Sequence, residues 1–418
     1  MTENEGDVTK NKTIHSAAKS GHISIVQKFI ENGADVNAID DNGHSPLILA
    51  AASDRDEAVQ LLLKCGADVN LVTNGQTALL AASALGSDRS VQRLLAGGAD
   101  VHFCDPSKET PLLSACRGDH SIIVKLLSSY GSNYDARDAE GCTPLIICAK
   151  MEHIASARIL LKFNLDIEAR DDTHLTAILH ACHHDDTEMV HLLLSHKANP
   201  EARDRDGNTC LLIACKEKRR DIVKLLVAHG AHVEPADEEG RTPLIFSCIH
   251  GEDEITELLL FEGSDTDHRD TSRRCALQHA VENDRVSSVC VLLQYGASPH
   301  VFGPKARTPL FEAVKRKNMK ITMMLIEDGA DVFARDEEGK TILFEACESG
   351  DLFMVETIWR KMAAAGDAES HETIDRYGKT PLDYVRENLR EEVSHPSRLN
   401  ILSWCQINAR ISQWKEET

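Results

Sequence analysis

Residues 222–248 read IVKLLVAHGAHVEPADEEGRTPLIFSC, and this stretch decides the fold. Its first six residues place apolar side chains at helical spacing, and Gly230 follows as the glycine that commonly ends a helix in the left-handed conformation. After the DEEG turn, Thr242 is suited to cap a second helix. Pro243 is suited to its first position, where a missing N–H costs nothing. The stretch therefore predicts two short helices joined by a glycine-containing turn.

Two markers repeat this pattern along the chain at steps of 32 or 33 residues. Segments of the Gly-Ala-Asp-Val-Asn type begin at Gly33, Gly66, Gly98, Gly131, Gly230, Gly263, Gly296 and Gly329, with Asn164 and Lys197 in the same slot. The Thr-Pro-Leu marker or a variant begins at Ser45, Thr77, Thr110, Thr143, Thr176, Thr209, Thr242, Cys275, Thr308 and Thr341. One helix pair cannot cover its own apolar surface, so neighbouring pairs must stack into a solenoid.

This periodic pattern closely resembles the ankyrin repeat, with the best matches at residues 40–70 and 237–243. The resemblance implies an all-α ankyrin-repeat solenoid of about twelve helix-turn-helix units over residues 12–388. Residues 1–11 are expected to form a flexible acidic tail. Residues 389–418 are expected to form a short helical extension, either a capping helix or a docking segment. A longer step before Thr380 indicates about six inserted residues, in the range 363–369.

Composition and charge narrow the classes of function. Hydrophobic residues make up 42% and charged residues 27% of the 418, which suits a folded chain. The net charge of −21 argues against nucleic acid or an anionic membrane as partner. No apolar run is long enough to span a membrane. The N-terminus lacks a signal-peptide core, and the thirteen scattered cysteines suggest reduced thiols. We therefore expect a cytoplasmic or nuclear protein.

Four residues depart from the repeat pattern at turns that favour glycine. His174, Arg273 and Ala306 replace the turn glycine of repeats six, nine and ten, and Lys197 replaces the glycine after a second helix. Residues with a Cβ pay a steric cost in left-handed backbone. These turns are expected to be strained or differently shaped.

Residues that suggest chemistry have a simpler interpretation within the repeat. Cys116, Cys182, Cys215, Cys248 and Cys347 share one repeat phase, the small-residue slot at the end of the first helix, which predicts core packing. The histidines around Cys182 complete no zinc motif, and His180 with His184 is expected to form an exposed pair. Two Gly-Lys-Thr tripeptides, at 339–341 and 378–380, lack the upstream glycine of a phosphate loop. No catalytic motif is present, so we predict no enzyme activity, no cofactor and no metal site.

In proteins of the resembled family, a partner binds the concave face built from turn tips and first-helix ends. Carried over, these positions predict partner-binding residues in repeats six to ten: His183, His184, Asp206, Asn208, Lys216, Glu217, Glu239, Arg241, Arg274, Lys305, Arg307, Lys315 and Arg316. The last five, with Arg273 and Lys317, form a basic cluster in an acidic chain. The hypothesis is that this cluster receives an acidic or phosphorylated protein segment. The alternative is an ordinary solvated face.

The resemblance also implies a modification site. Ankyrin arrays carry an asparagine in the Asp-Val-Asn turn that oxygen-dependent hydroxylases modify. Asn70, in such a turn and with Leu62 upstream, is a candidate.

The C-terminal segment resembles the first half of a SOCS box, which docks the elongin B/C pair of a cullin ubiquitin ligase. Ile401, Cys405 and Ala409 take the contact positions, although Ala409 is small for its slot and the second half of the box is missing. The predicted function is an intracellular protein-interaction scaffold or adaptor without catalysis. The alternative is a substrate-recognition adaptor of an elongin B/C–cullin ligase.

Overall fold

The computed structural model describes residues 13–365 and 373–394, together with Ala409 and Gln413. Within these residues every regular element is a helix, and an isolated bridge joins Thr73 and Gln76. The chain divides into two compact units, Met1–Arg205 and Asp206–Thr418, called here the N-terminal and C-terminal units. In the described ranges, no helix has both the length and the apolar character that a membrane crossing requires.

The described residues of the N-terminal unit, from Thr13 onward, form six helix pairs. They are α1 (Ile14–Ser20) with α2 (Ile23–Glu31), α3 (Pro46–Ala52) with α4 (Asp56–Lys64), α5 (Ala78–Ala84) with α6 (Asp88–Ala96), α7 (Pro111–Arg117) with α8 (Ser121–Ser129), α9 (Pro144–Lys150) with α10 (Ile154–Leu160), and α11 (Ala177–His183) with α12 (Thr187–Ser195). Each first helix packs on the next first helix, and each second helix on the next second helix. The result is two helical layers with the apolar core between them.

The described residues of the C-terminal unit form five helix pairs of the same kind, followed by one further helix. They are α13 (Cys210–Lys216) with α14 (Arg220–Ala228), α15 (Pro243–His250) with α16 (Asp253–Phe261), α17 (Ala276–Glu282) with α18 (Val286–Gln294), α19 (Pro309–Lys315) with α20 (Met319–Glu327), α21 (Ile342–Ser349) with α22 (Leu352–Ala364), and α23 (Pro381–Ser394). Repeats are numbered by these pairs, so α17 begins repeat nine and α19 repeat ten. The structure confirms the predicted all-α stack. The expected boundary at residue 388 falls inside α23.

Capping residues explain where the first helices begin. Thr242 lies in extended backbone, and its Oγ1 accepts a hydrogen bond from the Ile245 N–H at 3.4 Å, with Pro243 next in the chain. The same cap forms at Thr77, Thr110, Thr143 and Thr209. Such a cap contributes about 1 kcal/mol to helix stability. Thr308 and Thr341 occupy the equivalent position without this hydrogen bond.

The core is aliphatic, with cysteines at the predicted small-residue positions. Cys116, Cys182, Cys215, Cys248 and Cys347 are all buried, as the repeat phase predicted. Burial raises the pKa of Cys248 to about 12. A thiol in that state stays protonated, so it serves as a packing group rather than a nucleophile.

The residues that replace glycine at these turns do adopt left-handed backbone conformations. His174, Lys197 and Arg273 have φ values of 67°, 68° and 65°. The turn before α19 differs in shape: it is a 3₁₀ turn, Pro304–Ala306, with positive φ at both Lys305 and Ala306. This turn shapes the site described below.

Replacing Lys197 with glycine is expected to raise the free energy of unfolding by about 0.5–1 kcal/mol, because glycine has no Cβ to strain the left-handed backbone. Gly230→Ala is the reciprocal change. Gly230 has φ 78°, and within the described part of the chain no other residue comes within 4 Å of the position of the added Cβ. The Gly230→Ala substitution should therefore lower the free energy of unfolding by about 1 kcal/mol through backbone strain alone. Urea denaturation followed by circular dichroism measures both; a loss of stability in Lys197→Gly would contradict the expectation.

Candidate functional site

Basic side chains of repeats nine and ten meet at one cavity of about 200 Å³ in the C-terminal unit. Its lining includes four of the predicted residues, Arg274, Lys305, Arg307 and Lys315. The remaining lining residues are Gln278, Glu282, Pro304, Thr308, Pro309 and Glu312. We call this cavity the basic pocket. The structure therefore brings together most of the basic cluster that the sequence indicated.

The 3₁₀ turn holds one wall of the basic pocket. The Gly303 N–H donates to the Arg307 carbonyl at 2.8 Å, and the Lys305 carbonyl accepts from the Glu337 N–H at 3.0 Å. A Cβ at Gly303 would lie 2.2 Å from Gln278 Nε2, so a larger residue there would displace the Gln278 amide from its present position. The Gln278 amide in turn donates to the Arg307 carbonyl at 3.4 Å. The backbone of the pocket is thus fixed by contacts from repeats nine and eleven.

Two of the four lining cations, Arg274 and Lys315, lie beside carboxylates of the lining itself. Arg274 Nε donates to Glu282 Oε1 at 2.6 Å. Glu312 Oε1 accepts a hydrogen bond from Arg316 Nε at 3.0 Å, and Glu312 Oε2 lies 3.9 Å from Lys315 Nζ. Lys305 is exposed and has no ion-pair partner among the described residues. The lining carries four cations against two glutamates.

Arg307 is held from behind the lining by two buried carboxylates. Its Nη2 lies 3.4 Å from Asp336 Oδ2 and 3.1 Å from Glu345 Oε2, and neither acid lines the pocket. Burial raises the pKa of Glu345, while the Arg307 charge opposes that rise. Arg307 Nε is buried and has no hydrogen-bond partner in the part of the chain that the structure describes. Arg307 therefore serves the packing of the repeat as well as the pocket.

The residue before each first-helix cap shows how repeat ten differs from its neighbours. In repeats nine, eleven and twelve this cation pairs with a glutamate eight residues later: Arg274–Glu282 at 2.6 Å, Lys340–Glu348 at 2.8 Å and Lys379–Glu387 at 2.7 Å. In repeat ten the same two positions carry Arg307 and Lys315. Repeat ten therefore places a second cation where its neighbours have an anion. The pairs at Lys340 and Lys379 also support the interpretation of both Gly-Lys-Thr tripeptides as repeat turns.

Other predicted contact residues of the C-terminal unit have mixed surroundings. Asp206, Lys216, Glu217 and Glu239 are exposed. Arg241 is engaged, with its Nη2 2.7 Å from Asp237 Oδ2 and its guanidinium 4.9 Å from the Phe246 ring.

The prediction for Asn208 needs correction, because its side chain is 5% exposed and cannot present itself to a partner. It occupies the same phase as Arg241 and Arg307, directly before the cap. Long arginine side chains reach out of that half-buried slot, whereas an asparagine is too short.

The expected exposed histidine pair is also wrong in part. His183 and His184 are exposed, but His180 is buried, with Nε2 2.7 Å from Asp171 Oδ2. Burial lowers the pKa of His180, and the Asp171 contact opposes that shift. The His184 ring stacks on it at 6.5 Å between centroids. His180 therefore belongs to the helix packing, and only its neighbours face solvent.

The modification and docking candidates remain predictions. Asn70 is exposed, and its Oδ1 accepts from the Asp100 N–H at 2.8 Å, which ties two repeats together. Ile401 and Cys405 lie outside the described residues, and Ala409 is helical and exposed. Elongin B/C docking thus rests on the sequence pattern.

Sequence reasoning missed Gln278 and Thr308 as pocket residues. Gln278 lies four positions before Glu282 in α17, so helical spacing places both on one face. Thr308 was assigned to helix capping alone. Its Oγ1 is buried and has no hydrogen-bond partner.

Family profiles match most of the chain. The profile for ankyrin repeats in three copies matches residues 14–102, 78–171, 159–237 and 233–303, and the single-repeat profile matches residues 306–337.

Similar curated proteins match over short segments. Transient receptor potential cation channel subfamily A member 1 is 38% identical over 65 residues in Drosophila melanogaster and 41% over 71 residues in Homo sapiens. These alignments cover 16% and 17% of this chain and 5% and 6% of the channels. The chain therefore spans only a small part of the length of these relatives.

Solved ankyrin-repeat structures are similar over about half of the chain. The human ASB11 ankyrin repeat domain is 25% identical with a TM-score of 0.47, covering 52% of this chain and 98% of its own. The ankyrin repeat domain of Bcl-3 is 27% identical with a TM-score of 0.49, covering 53% of this chain and 99% of its own.

Proposed function

The chain belongs to the ankyrin-repeat family, and we propose that it is a protein-interaction scaffold or adaptor that takes up an acidic segment of a partner at the basic pocket. Ankyrin repeats generally serve as protein–protein interaction modules. We place the partner at the basic pocket and expect the bound segment to be negatively charged.

The observation that carries the proposal is the convergence of four cations on one cavity in a chain of net charge −21. They come from two repeats, and the surrounding turn is fixed by backbone hydrogen bonds. A pocket that is already ordered pays little conformational entropy when a ligand enters. Its positive charge also steers acidic segments toward it and disfavours basic ones.

The size of the basic pocket suits one side chain of a partner. About 200 Å³ is less than the roughly 300–1,000 Å³ typical of small-molecule sites. An extended segment would therefore lie over the surface and insert one anionic residue. The exposed Lys216 of repeat seven is available to the rest of such a segment.

Lys305→Glu is expected to weaken binding of acidic peptides about fivefold to tenfold, because it reverses the one lining cation that has no ion-pair partner in the described residues. Peptides selected from a random phage-displayed library on the full chain supply the probes, and fluorescence anisotropy at low salt measures the affinity. Selected peptides should be rich in Asp and Glu.

Lys108→Glu is the matched control for this test. Lys108 is also an exposed turn lysine with positive φ, at 64°, and it lies in the N-terminal unit. It should leave binding unchanged. A library that yields no acidic peptides, or equal losses in both variants, would show that the basic cluster is an ordinary solvated face.

A further inference from the structure

Building on the proposed function, we infer that the basic pocket recognises a phosphorylated serine or threonine side chain of the partner segment. The inference narrows the acidic ligand to one chemical class. It rests on the charge pattern of repeat ten and on two donors left without partners.

Repeat ten lacks an anion that its neighbours possess. Repeats nine, eleven and twelve each neutralise the cation before the cap with a glutamate eight residues on. Arg307 has Lys315 at that position, and both line the same cavity. Asp336 and Glu345 neutralise Arg307 from outside the lining, and Glu312 lies 3.9 Å from Lys315. An anionic ligand between Arg307 and Lys315 would supply the direct cation–anion pairing that repeats nine, eleven and twelve have within themselves.

A phosphate monoester fits this position better than a carboxylate. Glu282 and Glu312 already occupy part of the positive lining, and a partner carboxylate would compete with them on equal terms. A phosphorylated side chain brings about −1.5 to −2 charges and three acceptor oxygens. It can therefore bridge several cations at once, and arginine binds phosphate oxygens well.

Two hydrogen-bond donors at the pocket have no acceptor among the described residues. Thr308 is 4% exposed, lines the pocket, and its Oγ1 has no hydrogen-bond partner. The equivalent hydroxyls of Thr209 and Thr242 cap their helices; those of Thr176 and Thr341 are also unpartnered in the described residues but do not line the basic pocket. Arg307 Nε is likewise buried and unpartnered. Leaving buried polar groups unpaired is unfavourable, so a ligand oxygen that accepts from them gains affinity.

The test presents the full chain with degenerate peptide libraries that differ only at the central residue: phosphoserine, phosphothreonine, serine, threonine or glutamate. Bound peptides are identified by mass spectrometry, and the affinities of the enriched sequences are measured by fluorescence anisotropy. Phosphorylated peptides should bind at least about tenfold more tightly than their glutamate versions. Inorganic phosphate should displace them only at millimolar concentration. Displacement at micromolar concentration would overturn the inference in favour of a free-anion site.

Lys315→Glu is the decisive variant, because it gives repeat ten the cation–glutamate pattern of its neighbours. Phosphopeptide binding should fall at least tenfold while the Tm stays within about 2 °C of the parent, which separates lost binding from lost folding. Thr308→Val should weaken phosphopeptides severalfold. Thr341→Val, which removes another buried unpartnered hydroxyl outside the pocket, should not.

The outcomes separate this inference from the proposed function. Equal binding of glutamate and phosphorylated peptides would overturn the phosphate inference and leave the acidic-segment pocket standing. If neither glutamate peptides nor phosphorylated peptides bind, the phosphate inference and the proposed acidic-segment function are both overturned. Phosphopeptide binding that survives Lys315→Glu and Thr308→Val would place the phosphate site elsewhere and contradict the inference.

Discussion

Phe344→Ala is expected to lower the free energy of unfolding of the last repeats by about 3–5 kcal/mol, because it leaves a cavity in the core. Phe344 lies in α21 and is 0% exposed. Its ring meets Tyr384 of α23 edge to face, with centroids 5.9 Å apart. Losing the ring therefore removes contacts within repeat eleven and to repeat twelve.

Hydrogen–deuterium exchange of the α21 amides measures this effect locally, because repeat arrays open in parts. Phe353→Ala is the control: the same substitution in α22 of the same repeat, at a side chain that is 66% exposed. It should change stability by less than about 0.5 kcal/mol. Similar effects of the two substitutions would mean that the packing described for α21 is wrong.

Arg307→Met is expected to lower the free energy of unfolding by about 2–4 kcal/mol, because it leaves the Glu345 carboxylate buried and without its cation. The Glu345 side chain is only 8% exposed, and Asp336 loses the same partner. Adding Glu345→Gln should recover at least half of the loss, since the buried charge is then gone. Urea denaturation of Arg307→Met, Glu345→Gln and the double variant measures the coupling energy between Arg307 and Glu345.

Arg316→Met is the control for the Arg307 change. Arg316 is an exposed residue paired with Glu312 and Asp284, and such pairs contribute less than about 1 kcal/mol. Equal losses of unfolding free energy in Arg307→Met and Arg316→Met would show that Arg307 does not stabilise the core. Because reversing Arg307 would disturb folding, the binding tests use Lys305, Thr308 and Lys315 instead.

The repeat, its helix starts and its left-handed turns were predictable because each depends on a few adjacent residues. A threonine before proline begins α15, and glycine or its substitutes Lys197 and Arg273 take positive φ where the spacing indicated. Burial was less predictable. Asn208 shares its repeat phase with the half-buried Arg241 and Arg307, and only side-chain length and the packing of neighbouring helices decide how far each is covered.

By itself, the sequence determined the architecture, since a 33-residue period of local signals leaves stacked helix pairs as the arrangement that covers every apolar face. It also identified the basic residues of repeats nine and ten. Only the tertiary structure decided that Arg274, Lys305, Arg307 and Lys315 line one cavity and that the Thr308 hydroxyl is left unpaired there. The reason is physical: backbone signals act over a few residues, whereas distances between side chains of different repeats are set by how the repeats pack.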